Sequence, residues 1–219
     1  MDVKALRAAV DTWTFARQDP KFVEVTALCE DLGEAFDEKA AALCAATEAK
    51  DIRSVRPLLE AWPYSAAHQA AKRAAALVEK HGEAYDKAVK QLASASKDKD
   101  IASLRRGVEA WFLCDQDEAV VAARATVAEQ GAGYEEAVAA LERTGETRNV
   151  PALRTAVEAW VFCKMDAAWR RGKQELDELG PGYDEAAARL GEAVGDLDVP
   201  TIRKELKAWV FAEDVAWHA

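Results

Sequence analysis

Apolar residues recur along this chain at offsets of one, four, eight and eleven from an Asp or Asn. Examples are Ile101, Leu104, Val108 and Trp111 after Asp100, and Val150, Leu153, Val157 and Trp160 after Asn149. Those offsets share one face of a helix at 3.6 residues per turn, so each set predicts an amphipathic helix. The polar residue in front of each is placed to cap it: Asp2, Asp51, Asp100, Asn149 and Asp198 can accept from the free amides of the first turn. Pro151 and Pro200 follow within that turn, where a missing N–H costs little.

The pattern returns at one interval. Trp13, Trp62, Trp111, Trp160 and Trp209 are each 49 residues apart, which divides the chain into repeats 2–50, 51–99, 100–148 and 149–197 and a partial fifth, 198–219. A period of this length marks stacked supersecondary units that cannot bury their faces singly. The expected class is all-α, an α-solenoid of four tandem repeats plus a C-terminal half-repeat. We expect it to form one helical-repeat domain over residues 1–219 with a continuous core. Its plan of short helices in tandem is similar to armadillo and HEAT arrays, a similarity of plan that rests on no family-specific motif.

Within each unit the apolar stripe ends at the Trp, and Asp19-Pro20, Asp117 and Asp166 signal a second helix start. His68 occupies that position in the second repeat, where the break reads as a kink. Gly33, Gly82, Gly131 and Gly180 read as helix stops, since glycine accepts the left-handed conformation that closes a helix. A third helix is then expected near Phe36-Asp37, Tyr85-Asp86, Tyr134-Glu135 and Tyr183-Asp184, running through Leu43, Leu92, Leu141 and Leu190. The prediction per unit is three helices of about 13 to 16 residues, with a long kinked first helix and one other as the fallback. In the second repeat Pro57 and Pro63 fall in the first helix, with Ser54 a candidate new cap.

Arg7, Arg56, Arg105, Arg154 and Arg203 form a second series at the same period. An acid four residues later adds little in this orientation. An ion pair between helices, with Asp37, Asp86, Glu135 and Asp184, would explain an arginine in every unit, because its planar fork matches a carboxylate. The Trp series lies on the stripe of leucines and valines, which argues for packing between repeats. Trp169 and Trp217 stand outside it and are candidate exposed anchors for a partner.

Composition narrows the function classes. A net charge of −10 argues against nucleic acid and anionic membrane surfaces as main partners. The charge is uneven: the four repeats carry −4, +3, −5 and −3 and the tail −1. Only the second is basic, and Lys72, Arg73, Lys80, Lys87 and Lys90 in it are candidate contacts for an acidic partner. No apolar run is long enough to span a membrane and the start lacks a signal peptide, so membrane insertion is not expected. Cys29, Cys44, Cys114 and Cys163 lie within helical patterns without CxxC spacing. They read as buried thiols of a reducing, intracellular setting, cytoplasmic or organelle interior.

GxSxG, HExxH and phosphate-binding glycine loops are absent, and His68, His81 and His218 have no metal-ligand spacing. The expectation is therefore no enzyme, no metal and no cofactor. It is instead a non-enzymatic scaffold for other proteins or a structural subunit of a larger complex. The competing class is a helical protein that binds a small molecule or pigment at a repeat junction.

Overall fold

The computed structural model describes residues 2–212. Among them nine helices and no strands occur, in strict alternation of short and long: α1 (Val3–Asp11), α2 (Pro20–Glu48), α3 (Ile52–Glu60), α4 (Gln69–Lys97), α5 (Ile101–Glu109), α6 (Glu118–Glu146), α7 (Val150–Glu158), α8 (Ala167–Gly195) and α9 (Val199–Ala208). Each complete repeat is therefore one helix of nine residues and one of 29.

This corrects the three-helix expectation; the fallback of two helices holds in number, but the first is short and the second is the long one. Gly33, Gly82, Gly131 and Gly180 lie inside the long helices, and even Gly180-Pro181-Gly182 is continuous α8. A helix interior tolerates glycine at about 1 kcal/mol relative to alanine. The true stops come 17 residues further on, at Lys50, Lys99, Arg148 and Leu197, whose φ angles of 54°, 53°, 51° and 55° are left-handed. The amide of Asp51 donates to Ala46 O at 2.9 Å and that of Lys50 to Thr47 O at 3.1 Å, the paired bonds that satisfy the last carbonyls of a helix. None of the four is glycine, so sequence alone did not mark them.

The starts are where the polar residues placed them. Asp2, Asp51, Asp100, Asn149 and Asp198 accept from amides three residues on, at 2.8 to 3.3 Å. Asp19, Asp117 and Asp166 accept from amides two residues on and open the long helices. His68 is a cap as well, its Nδ1 accepting from the amide of Ala70 at 3.3 Å. The break there is thus a loop rather than a kink. Pro63 lies in that loop, outside α3, while Pro57 sits inside α3 and Ser54 does not restart it.

The chain divides into two compact units, Met1–Gln91 with Ala110–Val121, and Leu92–Glu109 with Ala122–Ala219. In the first, α1 and α3 both pack on α2. Leu43, Val55, Ala70, Ala71 and Ala74 form one buried cluster, with Leu59 and Trp62 against it; Ile52, Tyr85 and Leu113 form another. In the second unit α7 and α9 pack on α8, and Leu141, Leu153 and Trp160 are buried among Tyr134, Val157, Phe162 and Trp169. Small residues let the long helices close on these leucines. A Cβ on Gly172 would come within 2.9 Å of Leu141 Cδ2, and the matching position in the first unit is Ala74, fully buried with Leu43.

Candidate protein-docking site

The arginine of each short helix reaches the long helix that follows it. Arg7 donates to both carboxylate oxygens of Asp37 at 2.9 and 2.8 Å, and Arg56 to both of Asp86 at 2.6 and 2.8 Å. Arg105 donates to Glu135 at 2.7 Å and Arg154 to Asp184 at 3.1 Å. The ion pairs between helices thus form in four repeats. The guanidinium lies across the backbone of the glycine one turn before the acid. Arg56 and Arg105 also donate to the carbonyls of Gly82 and Gly131, at 3.1 and 3.3 Å. A Cβ at Gly33, Gly82 or Gly131 would stand 2.6, 2.9 or 2.8 Å from a guanidinium nitrogen, so glycine there makes room for the arginine, whereas at Gly180 the nearest Arg154 nitrogen is 3.9 Å away. The aromatic next to the acid takes the other face of the cation, with Arg7, Arg56 and Arg105 each 5.8 Å from the ring centre of Phe36, Tyr85 and Tyr134. Arg7 holds the Asp37 carboxyl below the usual carboxylate range, and Arg56 does the same to Asp86. All four pairs are half-exposed, so each contributes geometry more than stability.

The same aromatics meet the tryptophan of the next repeat. Phe36 lies 6.0 Å from Trp62, Tyr85 6.1 Å from Trp111, Tyr134 6.0 Å from Trp160 and Tyr183 5.7 Å from Trp209. The indole N–H of Trp62, Trp111, Trp160 and Trp209 donates to the carbonyl three residues on. These tryptophans join a long helix to the loop of the following repeat. Trp160 is 5% exposed and the others in the series are half-buried.

The two tryptophans outside the series separate. Trp169 is half-buried, packs in the Leu141 and Leu153 cluster and donates from its indole to Val157 O at 3.4 Å; it is a packing residue, not an exposed anchor. Trp217, like His218, lies outside the described residues. Arg203 is exposed on α9. His81 is half-buried with its ring 5.3 Å from Phe112. The cysteines are half-buried free thiols.

Lys72, Arg73, Lys80, Lys87 and Lys90 all lie on α4 and all are exposed. At 3.6 residues per turn they fall within about 100° of the helix circumference, a single face. Glu83 lies in that arc and Glu79 borders it, and the net charge of the face stays positive. Beside its N-terminal end is a cleft of about 490 Å³ lined by Leu59, Trp62, Tyr64, Ala71, Lys72 and Ala75 among others. The sequence marked the cations by their departure from an acidic chain. It did not mark the cleft, whose signal is Ala71, smaller than its counterparts Phe22, Val120 and Trp169 at the same place in the period.

Among the described residues no cluster of His, Cys, Asp and Glu could hold a metal ion, and no helix is long and apolar enough to cross a membrane. Comparison with protein-family models, with curated proteins and with solved structures finds no match to this chain.

Proposed function

We propose that this protein is a non-enzymatic scaffold, an α-solenoid of tandem 49-residue units that displays a surface to other proteins, either alone or as a structural subunit of a larger complex. In this reading it works inside the cell and makes its contact through the exposed face of α4. The observation that carries the reading is the set of five exposed cations on one face of one helix, in a chain of net charge −10. Clustered charge of one sign steers an oppositely charged partner and fixes its register. The Arg, Gly, aromatic and Trp series are taken up in holding helices together, which leaves outward faces such as this one for binding, the usual service of extended repeat surfaces.

The test is affinity capture by the intact chain beside a variant with Lys72, Arg73, Lys80, Lys87 and Lys90 all changed to Glu. The captured protein is then purified and titrated against both. Saturable binding lost on charge reversal supports the proposal. A partner that binds both forms equally moves the contact elsewhere, and no partner at all overturns the scaffold reading.

The second reading, a small-molecule binder, has one observation in its favour. In the second unit a cleft of about 880 Å³ lies between α5, α6 and α8. Arg106, Glu142, Glu146, Arg170 and Glu175 are in its wall, a charged lining unlike the apolar surround of a pigment or drug-sized ligand. Absorbance of the purified protein beyond the aromatic band would favour this reading over the first.

A further inference from the structure

One site near the start of the long helix is occupied by Phe22, Ala71, Val120 and Trp169 in the four complete repeats. Where it is aromatic, the ring fills the groove between the short helix and the long one. Phe22 packs on Trp13 at 5.5 Å with the planes 35° apart. Trp169 enters the cluster with Trp160 and donates to the carbonyl of Val157 on the short helix. In the second repeat the same groove ends in the methyl group of Ala71, and the cleft of about 490 Å³ opens beside Trp62. One turn on, Ala75 stands where the other copies carry Thr26, Arg124 and Lys173, so the side chain there is too short to reach across. The floor is apolar, of Leu59, Trp62, Ala71, Ala75 and Ala76, and Lys72 stands at its edge.

We infer that this groove is a receptor slot for an aromatic side chain carried on an acidic segment of a partner protein. The inference rests on the docking face proposed above and adds its anchor. Two copies of the fold in this chain hold an aromatic ring at the equivalent place. A flat ring against Trp62 would gain offset or edge contact at little entropic cost, the usual behaviour of an interface anchor. The charge of the segment follows from the helix that bears the slot: Lys72 lines it, and Arg73, Lys80, Lys87 and Lys90 continue along the same helix, all exposed. Carboxylates on either side of the anchor would meet them, so the cations disfavour a basic segment. Glu79 also lines the cleft and offsets Lys72 there, so the excess positive charge is that of the helix face beyond it.

The experiment titrates the intact chain into a fluorescein-labelled oligoglutamate peptide with one central tryptophan, followed by anisotropy at low salt. Controls carry a central alanine, or lysines in place of the glutamates. The expected result is saturable binding of the acidic tryptophan peptide, about tenfold weaker binding of its alanine counterpart, and none of the basic peptide. Ala71→Trp and Ala71→Phe, which install the residues the fourth and first repeats already use, should each remove that tenfold preference while the helical circular dichroism of the protein is retained. The two variants cover for each other if one fails to fold. If both acidic peptides bind alike and both are lost on reversal of Lys72, Arg73 and Lys80 to Glu, the slot is wrong and the docking face stands. If tryptophan is still preferred after Ala71→Trp, the slot is likewise wrong. No binding by any peptide overturns both.

Discussion

The hydroxyl of Tyr85 donates to Oδ2 of Asp117 at 2.9 Å, while Oδ1 of the same carboxylate caps α6 by accepting from the amide of Ala119 at 2.9 Å. One buried aspartate thus starts a helix and receives the long helix of the preceding repeat. Tyr134 and Asp166 repeat the arrangement at 2.9 Å, with Ala168 as the capped amide at 2.8 Å. Where the aromatic is Phe36 and has no hydroxyl, the partner position is His68, which keeps the cap and meets the ring edge-on at 5.0 Å.

Removing the Tyr85 hydroxyl should leave Asp117 Oδ2 buried without its donor. Tyr85→Phe is expected to destabilise by about 1 to 3 kcal/mol, the usual result of orphaning a buried polar atom. Phe36→Tyr and His68→Asp should each be neutral or harmful alone. Combined, they should recover stability, with a coupling of about 0.5 to 3 kcal/mol in a double-mutant cycle read by urea unfolding. Additive effects would mean that this pair is not what joins the repeats.

The two tyrosines also set an alkaline limit. Burial, and then the hydrogen bond to an aspartate, push Tyr85 and Tyr134 up to about 12 from an ordinary value near 10. A folded-state value above the unfolded one favours the neutral phenol in the fold. The contribution is complete below about pH 10 and is lost as pH rises through about 12. Unfolding free energy measured from about pH 9 to 12 should fall across that window, and less steeply in a Tyr85→Phe, Tyr134→Phe variant. Equal slopes would contradict the assignment. At the acid end Asp37 and Asp86, held low by Arg7 and Arg56, favour the fold above the ordinary carboxylate range and lose that effect as pH drops through their lowered values.

Glycines on one helix should respond with opposite signs. Gly133 has open space where a Cβ would be, so Gly133→Ala should stabilise α6 by about 0.5 to 1 kcal/mol. Gly131 lies under Arg105, whose Nη2 would be 2.8 Å from the new Cβ. Gly131→Ala must displace the guanidinium, so its helix gain is offset by the lost contact to Glu135 and the Gly131 carbonyl. Thermal melts of the two variants should differ by several degrees, with Gly133→Ala higher. Arg105→Lys, which keeps the charge and loses the fork, should lower the midpoint slightly.

Lys99 follows α4 with φ 53°. Substitution by glycine removes the side-chain clash of that conformation and should stabilise by about 1 kcal/mol. Lys99→Val should destabilise by at least as much. The carbonyl of Lys99 accepts from the amide of Cys163 at 3.4 Å in the second unit, so amide exchange at Cys163 offers a local readout of either change.

Much of the local structure was legible from residues alone. Each short helix begins at an Asp or Asn, carries its apolar stripe at offsets such as Ile101, Leu104 and Val108, ends just before the Trp, and repeats at 49 residues. Capping and helical periodicity are local effects that depend on neighbours within a turn or two. The pairing of Arg56 with Asp86 was also inferable, because two series with one period and opposite charge invite a fork on a carboxylate. Gly82 and its equivalents were not legible in this way. Glycine at a helix stop and glycine under a crossing side chain look the same in one dimension, and only the approach of Arg56 tells them apart.

The sequence by itself determined the all-helical class, the length of the repeat, the helix starts at Asp and Asn and which repeat bears the exposed cations. Tertiary packing decided that the expected second and third helices are one, which puts all five cations on α4, and that Ala71 leaves a groove which Phe22 and Trp169 fill elsewhere. The physical reason is that caps and periodicity act within a few residues. Whether a glycine breaks a helix, or an alanine leaves a void, depends on side chains brought from far along the chain.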